Sequence, residues 1–408
     1  MTDFKGLQGT QEKISVVTIK LYDEDAYATE FGAEIVEISK DNDCIYLVLD
    51  RTLFFPEEGG QSPDTGNIGG FEVVDVQISG DTITHTIRYS EEAESALIKG
   101  KTVRGHVNWD KRFSNMQNHT GEHILSGILH NEYRSENVGF HLSDNTVTLD
   151  TSRYLTEAEL SELEFKANRA VYANLEIRAE YLPDEELERL EYRSKKEIEG
   201  AVRIVTIGDI DKCACCAPHV HHTGEVGLIK ITKAIKWKEG TRIWFLCGSR
   251  ALEYVQTVFK NVDEVARLTS ESPDKIADGV KRFNETIQSL KADLFQAQSG
   301  FMEEKIKNIS DIKSDVILFE NVSNSKIQRN AVNALVERFD GVCGVFSTVD
   351  NISYQYIIGS KNRDCREVGR VLNEKLGAKG GGKPEMIQGS VAASREAIIG
   401  ALKETLDI

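Results

Sequence analysis

Basic charge is in short supply: 49 Lys and Arg stand against 66 Asp and Glu, a formal net charge of −17. That total excludes a uniformly basic nucleic-acid binder, though not a local basic patch. No apolar run is long enough to span a bilayer, so no membrane partner is expected. The opening Met1-Thr2-Asp3-Phe4-Lys5-Gly6 lacks the basic-then-apolar order of a secretory leader, and a cytoplasmic protein is expected. Low-complexity stretches are missing, as in an ordinary globular chain. Seven Cys, three of them between Cys213 and Cys216, do not form the pattern of a secreted disulfide framework. In a reducing compartment such clustering points to metal binding. At 408 residues the chain exceeds one ordinary core, and two or three domains are expected.

What is present is organised around Asn118-His119-Thr120-Gly121-Glu122-His123. On a helix, residues four apart project from one face, one turn apart, so His119 and His123 would stand together. Cys215 and His219, in Cys213-Ala214-Cys215-Cys216-Ala217-Pro218-His219, repeat that spacing on a predicted loop. Three imidazoles and a thiolate make a tetrahedral N/S set suited to Zn2+. Glu122 either serves as a base or points off the helix into solvent. His-x-x-Glu-His also fits the inverted zincin pattern of a metalloprotease, which leaves Cys215 and His219 unexplained.

The pattern predicts an α+β multidomain chain with four parts. Residues 1–108 read as a small β-barrel, with strands over Ile14–Ile19, Ala33–Ile38, Cys44–Leu49, Phe71–Ile78 and Thr82–Ile87. Within it, Phe54 to Gly66 forms an irregular loop containing Gly59-Gly60-Gln61. Residues 109–249 read as an α+β zinc-binding domain. Its helix from Trp109 to Tyr133 carries the two His, and a second helix is capped by Thr156 and Glu159. Asp184–Tyr192 is expected to be a helix. Residues 250–308 read as a helical spacer. Ile276, Val280, Phe283, Ile287, Leu290, Leu294, Ala297 and Phe301 make a heptad seam that pairs either with the preceding helix or with another subunit. Residues 309–408 alternate strands and helices, an α/β domain.

Two stretches reverse the overall charge. Lys230, Lys233, Lys236, Arg242 and Arg250 cluster in one, and Lys379-Gly380-Gly381-Gly382-Lys383 in the other reads as a positively charged loop suited to phosphate.

Taken together, Gly-Gly-Gln, His-x-x-x-His and Cys-x-x-x-His resemble the editing domain of alanyl-tRNA synthetase. So do Gly224-Glu225-Val226-Gly227-Leu228-Ile229-Lys230-Ile231 and Gly248-Ser249-Arg250-Ala251-Leu252-Glu253-Tyr254. Lys379 to Gly389 is similar to the Gly-rich motif of that enzyme's C-terminal, DHHA1-like domain. With no room for a class II aminoacylation core, the chain resembles the free-standing alanyl-tRNA editing proteins of long type. The resemblance implies hydrolysis of tRNA(Ala) mischarged with serine or glycine, acting in trans. It implies zinc on His119, His123, Cys215 and His219, with Gln61 beside the pocket. It also makes tRNA the partner of the basic stretches and leaves open a homodimer through the C-terminal domain or the coiled coil. The family pattern Cys-Gly-Gly-Thr-His is replaced here by Cys215-Cys216-Ala217-Pro218-His219, which makes Cys213 and Cys216 rivals for the thiolate position. Four protein ligands close a tetrahedral site, the usual state of structural zinc. Either one ligand yields or the ion only shapes the pocket. A tRNA-binding zinc protein without catalysis, and the related threonyl-tRNA synthetase editing fold, are the remaining alternatives.

Overall fold

The structure is a computed structural model that describes residues 17–194, 201–310, 315–322, 324–348, 350 and 352–408. The first three residues of the strand expected over Ile14–Ile19 lie outside these. The chain divides into two compact units, Met1–Asn261 and Val262–Ile408.

In the first unit, six antiparallel strands close a barrel: β1 (Glu30–Lys40), β2 (Cys44–Leu49), β3 (Gly66–Ile68), β4 (Phe71–Ser79), β5 (Thr82–Arg88) and β6 (Thr102–Val107). The order around it is β1-β2-β5-β4-β3-β6. Alternation drives closure, because every second side chain faces one interior. In β5 the inward residues are Ile83, His85 and Ile87. His85 is the exception to an apolar interior, and its Nε2 lies 2.8 Å from the hydroxyl of Thr52.

The barrel leads directly into α1 (Trp109–Tyr133), capped by Asn108, whose side chain accepts from the Lys111 amide. From Asn115 to Leu129 this helix is buried on every side, so its polar residues face protein rather than water. One ion pair ties it to the barrel. Arg112 and Asp64 are both wholly buried, and the guanidinium also donates to the carbonyls of Ala26 and Leu53. Asp64 in turn accepts from the amide of Phe55 at 2.7 Å. Every lone pair or proton so engaged reduces the desolvation penalty of the pair.

Beside α1 lie β7 (Asn137–Leu142), β8 (Val147–Thr151), α2 (Glu157–Tyr172), β9 (Ile177–Tyr181), β10 (Arg203–Ile207), β11 (Asp211–Ala214), β12 (Ile229–Trp237) and β13 (Gly240–Cys247). They form a four-stranded sheet, β12-β13-β8-β7, and a three-stranded one, β9-β10-β11. The capping box of Thr156 and Glu159 is present at the start of α2. The helix expected over Asp184–Tyr192 is only Asp184–Leu187. Too few apolar positions follow to hold a longer one against a core.

α3 (Gly248–Thr269) carries the boundary between the units. In the second unit, α4 (Ile276–Lys307) begins against the turn after α3: a side chain at Gly279 would strike those of Thr269 and Glu271. Beyond that turn the heptad seam is uncovered. Val280, Phe283, Ile287, Leu290 and Leu294 are 44% to 61% exposed. The antiparallel hairpin anticipated from the seam therefore does not cover these positions, because heptad spacing specifies an apolar face but not its partner.

The rest of the second unit is a five-stranded sheet in the order β14-β15-β16-β18-β17. The strands are β14 (Val316–Glu320), β15 (Cys343–Ser347), β16 (Ser353–Gly359), β17 (Lys379–Lys383) and β18 (Met386–Ala392). The end of α4 and α5 (Ser325–Arg338) cover one face, through Met302, Ile306, Val332 and Leu335 against Val345 and Ile357. α6 (Arg366–Leu376) and α7 (Arg395–Leu402) cover the other, through Val368, Leu372, Ile398 and Leu402. The Gly-rich stretch expected to be a loop is β17, an edge strand paired with β18. A side chain at Gly380 would meet the Gln388 carbonyl at 2.4 Å and the Tyr356 hydroxyl at 2.7 Å, so the strand lies flat only because it has none.

Candidate metal centre

The two His of α1 and the segment after β11 meet. His119, His123, Cys215 and His219 each bring one donor atom to within 4.8 Å of the others. Sγ of Cys215 is 3.6 Å from Nε2 of His119 and 3.4 Å from Nε2 of His219. The three histidines are buried and Cys215 is half-buried.

Each imidazole is aimed by a separate partner on Nδ1. His119 meets Oε1 of Gln61 at 2.8 Å, His123 meets Asp211 at 2.9 Å, and His219 meets the hydroxyl of Thr120 at 2.9 Å. A ring that donates through Nδ1 holds its lone pair on Nε2, so all three rings offer the same atom inward. Asp211 is itself held by Arg193, at 2.7 and 2.9 Å. Thr120 and Asp211 carry no spacing signal, and the helical pattern of α1 pointed only to the His pair.

Electrostatics favour the ligating forms at the thiol. Burial opposes ionisation of Cys215, but His119 and hydrogen bonds from His119, His123 and His219 hold it well below the usual thiol range. The thiolate is the form that binds metal. Burial pushes His219 down to about 3. For His123 burial acts downward, but the bond to Asp211 carries it well above its ordinary value.

The rival thiols fare differently. Cys213 groups with His123 and Asp211, sharing a single His with the four-donor set, and burial raises its pKa. Burial also raises that of Cys216, helped by the neighbouring Cys215 and Glu58. Glu122 does not point into solvent. It is buried, and its Oε1 accepts from Ser126 at 2.5 Å and from Asn137. Its Oε2 lies 3.9 Å from Nε2 of His123.

Gln61 reaches His119 because of a tight turn. Gly59 and Gly60 have φ of +63° and +85°, and Glu58 and Gln61 exchange backbone hydrogen bonds across them. A side chain at Gly60 would strike the Phe140 carbonyl at 2.4 Å. The turn is further bonded to β7 through Ser62 and Leu142.

The basic residues are divided between internal and external roles. Lys230 pairs with Glu164 and Arg242 with Asp150, while Arg250 donates to the Ser143 carbonyl. Lys233 and Lys236 are exposed, the former over the Trp244 ring. In the second unit Lys379 and Lys383 are exposed at the two ends of β17. No helix is long and apolar enough to cross a membrane among the described residues.

Residues 202–244 match the family described as threonyl and alanyl tRNA synthetase second additional domain. Residues 8–111, which include the whole barrel, match class II (A) tRNA synthetases. The chain is 28% identical to the alanyl-tRNA editing protein AlaX-L of Pyrococcus horikoshii, over 95% of this chain and 98% of that protein. It is 30% identical to the alanine–tRNA ligase of Pyrococcus abyssi, over 95% of this chain and 43% of the ligase. The chain thus spans less than half the length of that ligase. The crystal structure of the C-Ala domain from Aquifex aeolicus alanyl-tRNA synthetase matches 22% of this chain and 87% of that one at 26% identity. Its TM-score of 0.20 is too low to bear on the fold.

The chain is therefore similar, over nearly its whole length, to an alanyl-tRNA editing protein. The likeness leaves almost none of AlaX-L, the long form, unmatched.

Proposed function

We propose that this protein hydrolyses the ester of tRNA(Ala) mischarged with serine or glycine, acting in trans and in the cytoplasm, with zinc held by His119, His123, Cys215 and His219. One observation carries the reading: four donors converge, with every Nδ1 engaged elsewhere, inside a chain similar to an editing protein. Zinc fits the donor set. A tetrahedron with Zn–S of about 2.3 Å and Zn–N of about 2.0–2.1 Å has S···N edges of roughly 3.5 Å. The edges found are 3.4 and 3.6 Å.

When bound, the ion supplies Lewis-acid polarisation to an ester carbonyl. The chain's own residues do the rest. Gln61 fixes His119 through Oε1, and its Nε2, buried without a partner among the described residues, is left to donate to substrate. Glu122, oriented by Ser126 and Asn137, is the base. An aminoacyl ester is already reactive, so choice matters more than rate. A polar pocket that hydrogen-bonds a serine hydroxyl rejects alanine by leaving its own groups unpaired.

tRNA contacts fall to Lys233 and Lys236 in the first unit and to Lys379 and Lys383 in the second, with a homodimer formed through the exposed α4 seam. The deciding assay is deacylation of Ser-, Gly- and Ala-tRNA(Ala), with and without chelator. Cleavage of the mischarged species alone, abolished by chelator and restored by zinc, supports the reading. Equal cleavage of Ala-tRNA(Ala), or none of any species by the zinc-loaded protein, ends it.

A further inference from the structure

The turn that delivers Gln61 also delivers a second side chain. Two successive residues with positive φ are the signature of a type I′ hairpin turn, which sets its flanking residues directly opposite each other. Such facing residues project to the same side, with Cβ atoms about 4.5–5.5 Å apart. The flanking pair here is Glu58 and Gln61. Gln61 reaches the helical half of the metal centre at His119. Glu58 stands toward the other half: a side chain at Gly59 would come to 4.0 Å from Sγ of Cys216, next to the ligand Cys215, and the Glu58 charge helps raise that thiol's pKa. A single two-glycine turn therefore stands against both arms of the site, with Gly59 and Gly60 themselves exposed.

Four buried polar atoms around this turn have no partner among the described residues: Nε2 of Gln61, Oε2 of Glu58, Oγ of Ser62 and the hydroxyl of Tyr22. Gln61 and Tyr22 are each 1% exposed, and Tyr22 lies within electrostatic reach of Glu58 and Cys216. Buried groups of this kind are costly unless a ligand completes them. Neighbouring carboxylates already have strong donors. Asp23 accepts from Tyr181 and faces Arg203, and Asp211 is held by Arg193 and His123. Among the described residues Glu58 has no charged donor, and the neighbouring Cys216 thiol is a weak one. That thiol also stands where the family pattern has glycine, so its presence is a departure from the pattern.

Unmet amide donors beside an unmet carboxylate oxygen complement one particular fragment. A carbonyl oxygen accepts from the first and an ammonium donates to the second, and an α-amino ester carries both on adjacent carbons. We propose that Glu58 binds the α-ammonium of the aminoacyl ester while Gln61 donates to its carbonyl, so that the Gly59-Gly60 turn recognises the α-amino ester as one unit. This assignment rests on the deacylase reading above.

The test compares the full-length, zinc-loaded protein on Ser-tRNA(Ala) and on N-acetyl-Ser-tRNA(Ala), whose nitrogen is no longer charged. A charge-assisted hydrogen bond lost without replacement corresponds to about 10- to 100-fold in kcat/KM. The wild type should favour the free amine by that factor, and Glu58→Gln should reduce the preference to within about threefold with zinc content unchanged. Wild-type cleavage of both esters at equal rates overturns the role of Glu58 and leaves the deacylase reading standing. Cleavage of neither ester overturns both. Should Glu58→Gln fail to fold or to hold zinc, calorimetry on the wild type decides, with non-hydrolysable 3′-seryl-amino-3′-deoxyadenosine and its N-acetyl form. Tighter binding of the free amine by the same factor supports the assignment, and equal affinity overturns it.

Discussion

The two units bury different things. The first sinks Arg112, Asn115, Asn118, His119, Glu122, His123, Asp211 and His219 among its apolar residues. Among the described residues the second buries only Thr269, Asp315, Gln328, Ser347 and Ser360 besides its apolar core. All nine histidines lie at or before His222, so the second unit has none. Buried polar groups are expensive unless satisfied, and a fold that retains many of them is organised around something other than stability alone. The contrast separates a unit that buries a cluster of metal-suited donors from one whose core is almost wholly apolar among the described residues.

The largest test of that contrast removes the ion. Cys215→Ala or His123→Ala should abolish stoichiometric zinc and lower deacylation by more than about 100-fold, measured by elemental analysis beside single-turnover assays. A ligand variant that lost zinc yet kept full activity would place the chemistry elsewhere. Next in size is the support of the ligands. Gln61→Ala and Asp211→Asn should each weaken zinc affinity by about 10- to 100-fold, read by competition with a chromogenic chelator.

Cutting the chain after Lys307 should raise KM by roughly 10-fold and flatten its salt dependence while kcat stays within about threefold, because a second contact contributes effective concentration and not chemistry. An unchanged KM in the truncated protein would remove any part for the second unit in holding tRNA.

The last effect is on stability and not on turnover, in its pH dependence. Burial pushes His85 down to about 4 from an ordinary value of 6.5. The unfolded chain therefore takes up a proton that the folded barrel refuses. The resulting stability is fully present above pH 6.5 and declines as pH falls toward 4, by about 3 kcal/mol in all. Trp109, Trp237 and Trp244, the chain's three tryptophans, all report on the first unit. Urea denaturation followed by their fluorescence should show the decline, and His85→Gln should reduce it. An equal decline in the variant would assign it to other groups.

The metal centre was largely legible in the sequence, because a four-residue spacing is a local property. A helix converts His119 and His123 into neighbours wherever it packs. Gln61 was legible as a member of the Gly-Gly-Gln loop but not as the partner of His119, which depends on the barrel meeting α1. Asp211 and Thr120 were invisible for the same reason. β17 was misread because three glycines have no strand preference of their own; β18 beside them makes the strand. The α4 seam was legible as an apolar face, while what covers it lies in no pattern along the chain.

The buried pair Arg112–Asp64 lies seven residues before His119 and three after Gln61. It fastens the loop of Gln61 to the helix of His119 with groups that owe nothing to a bound ion. Chelation should thus leave an empty but standing socket, ready to be refilled without refolding.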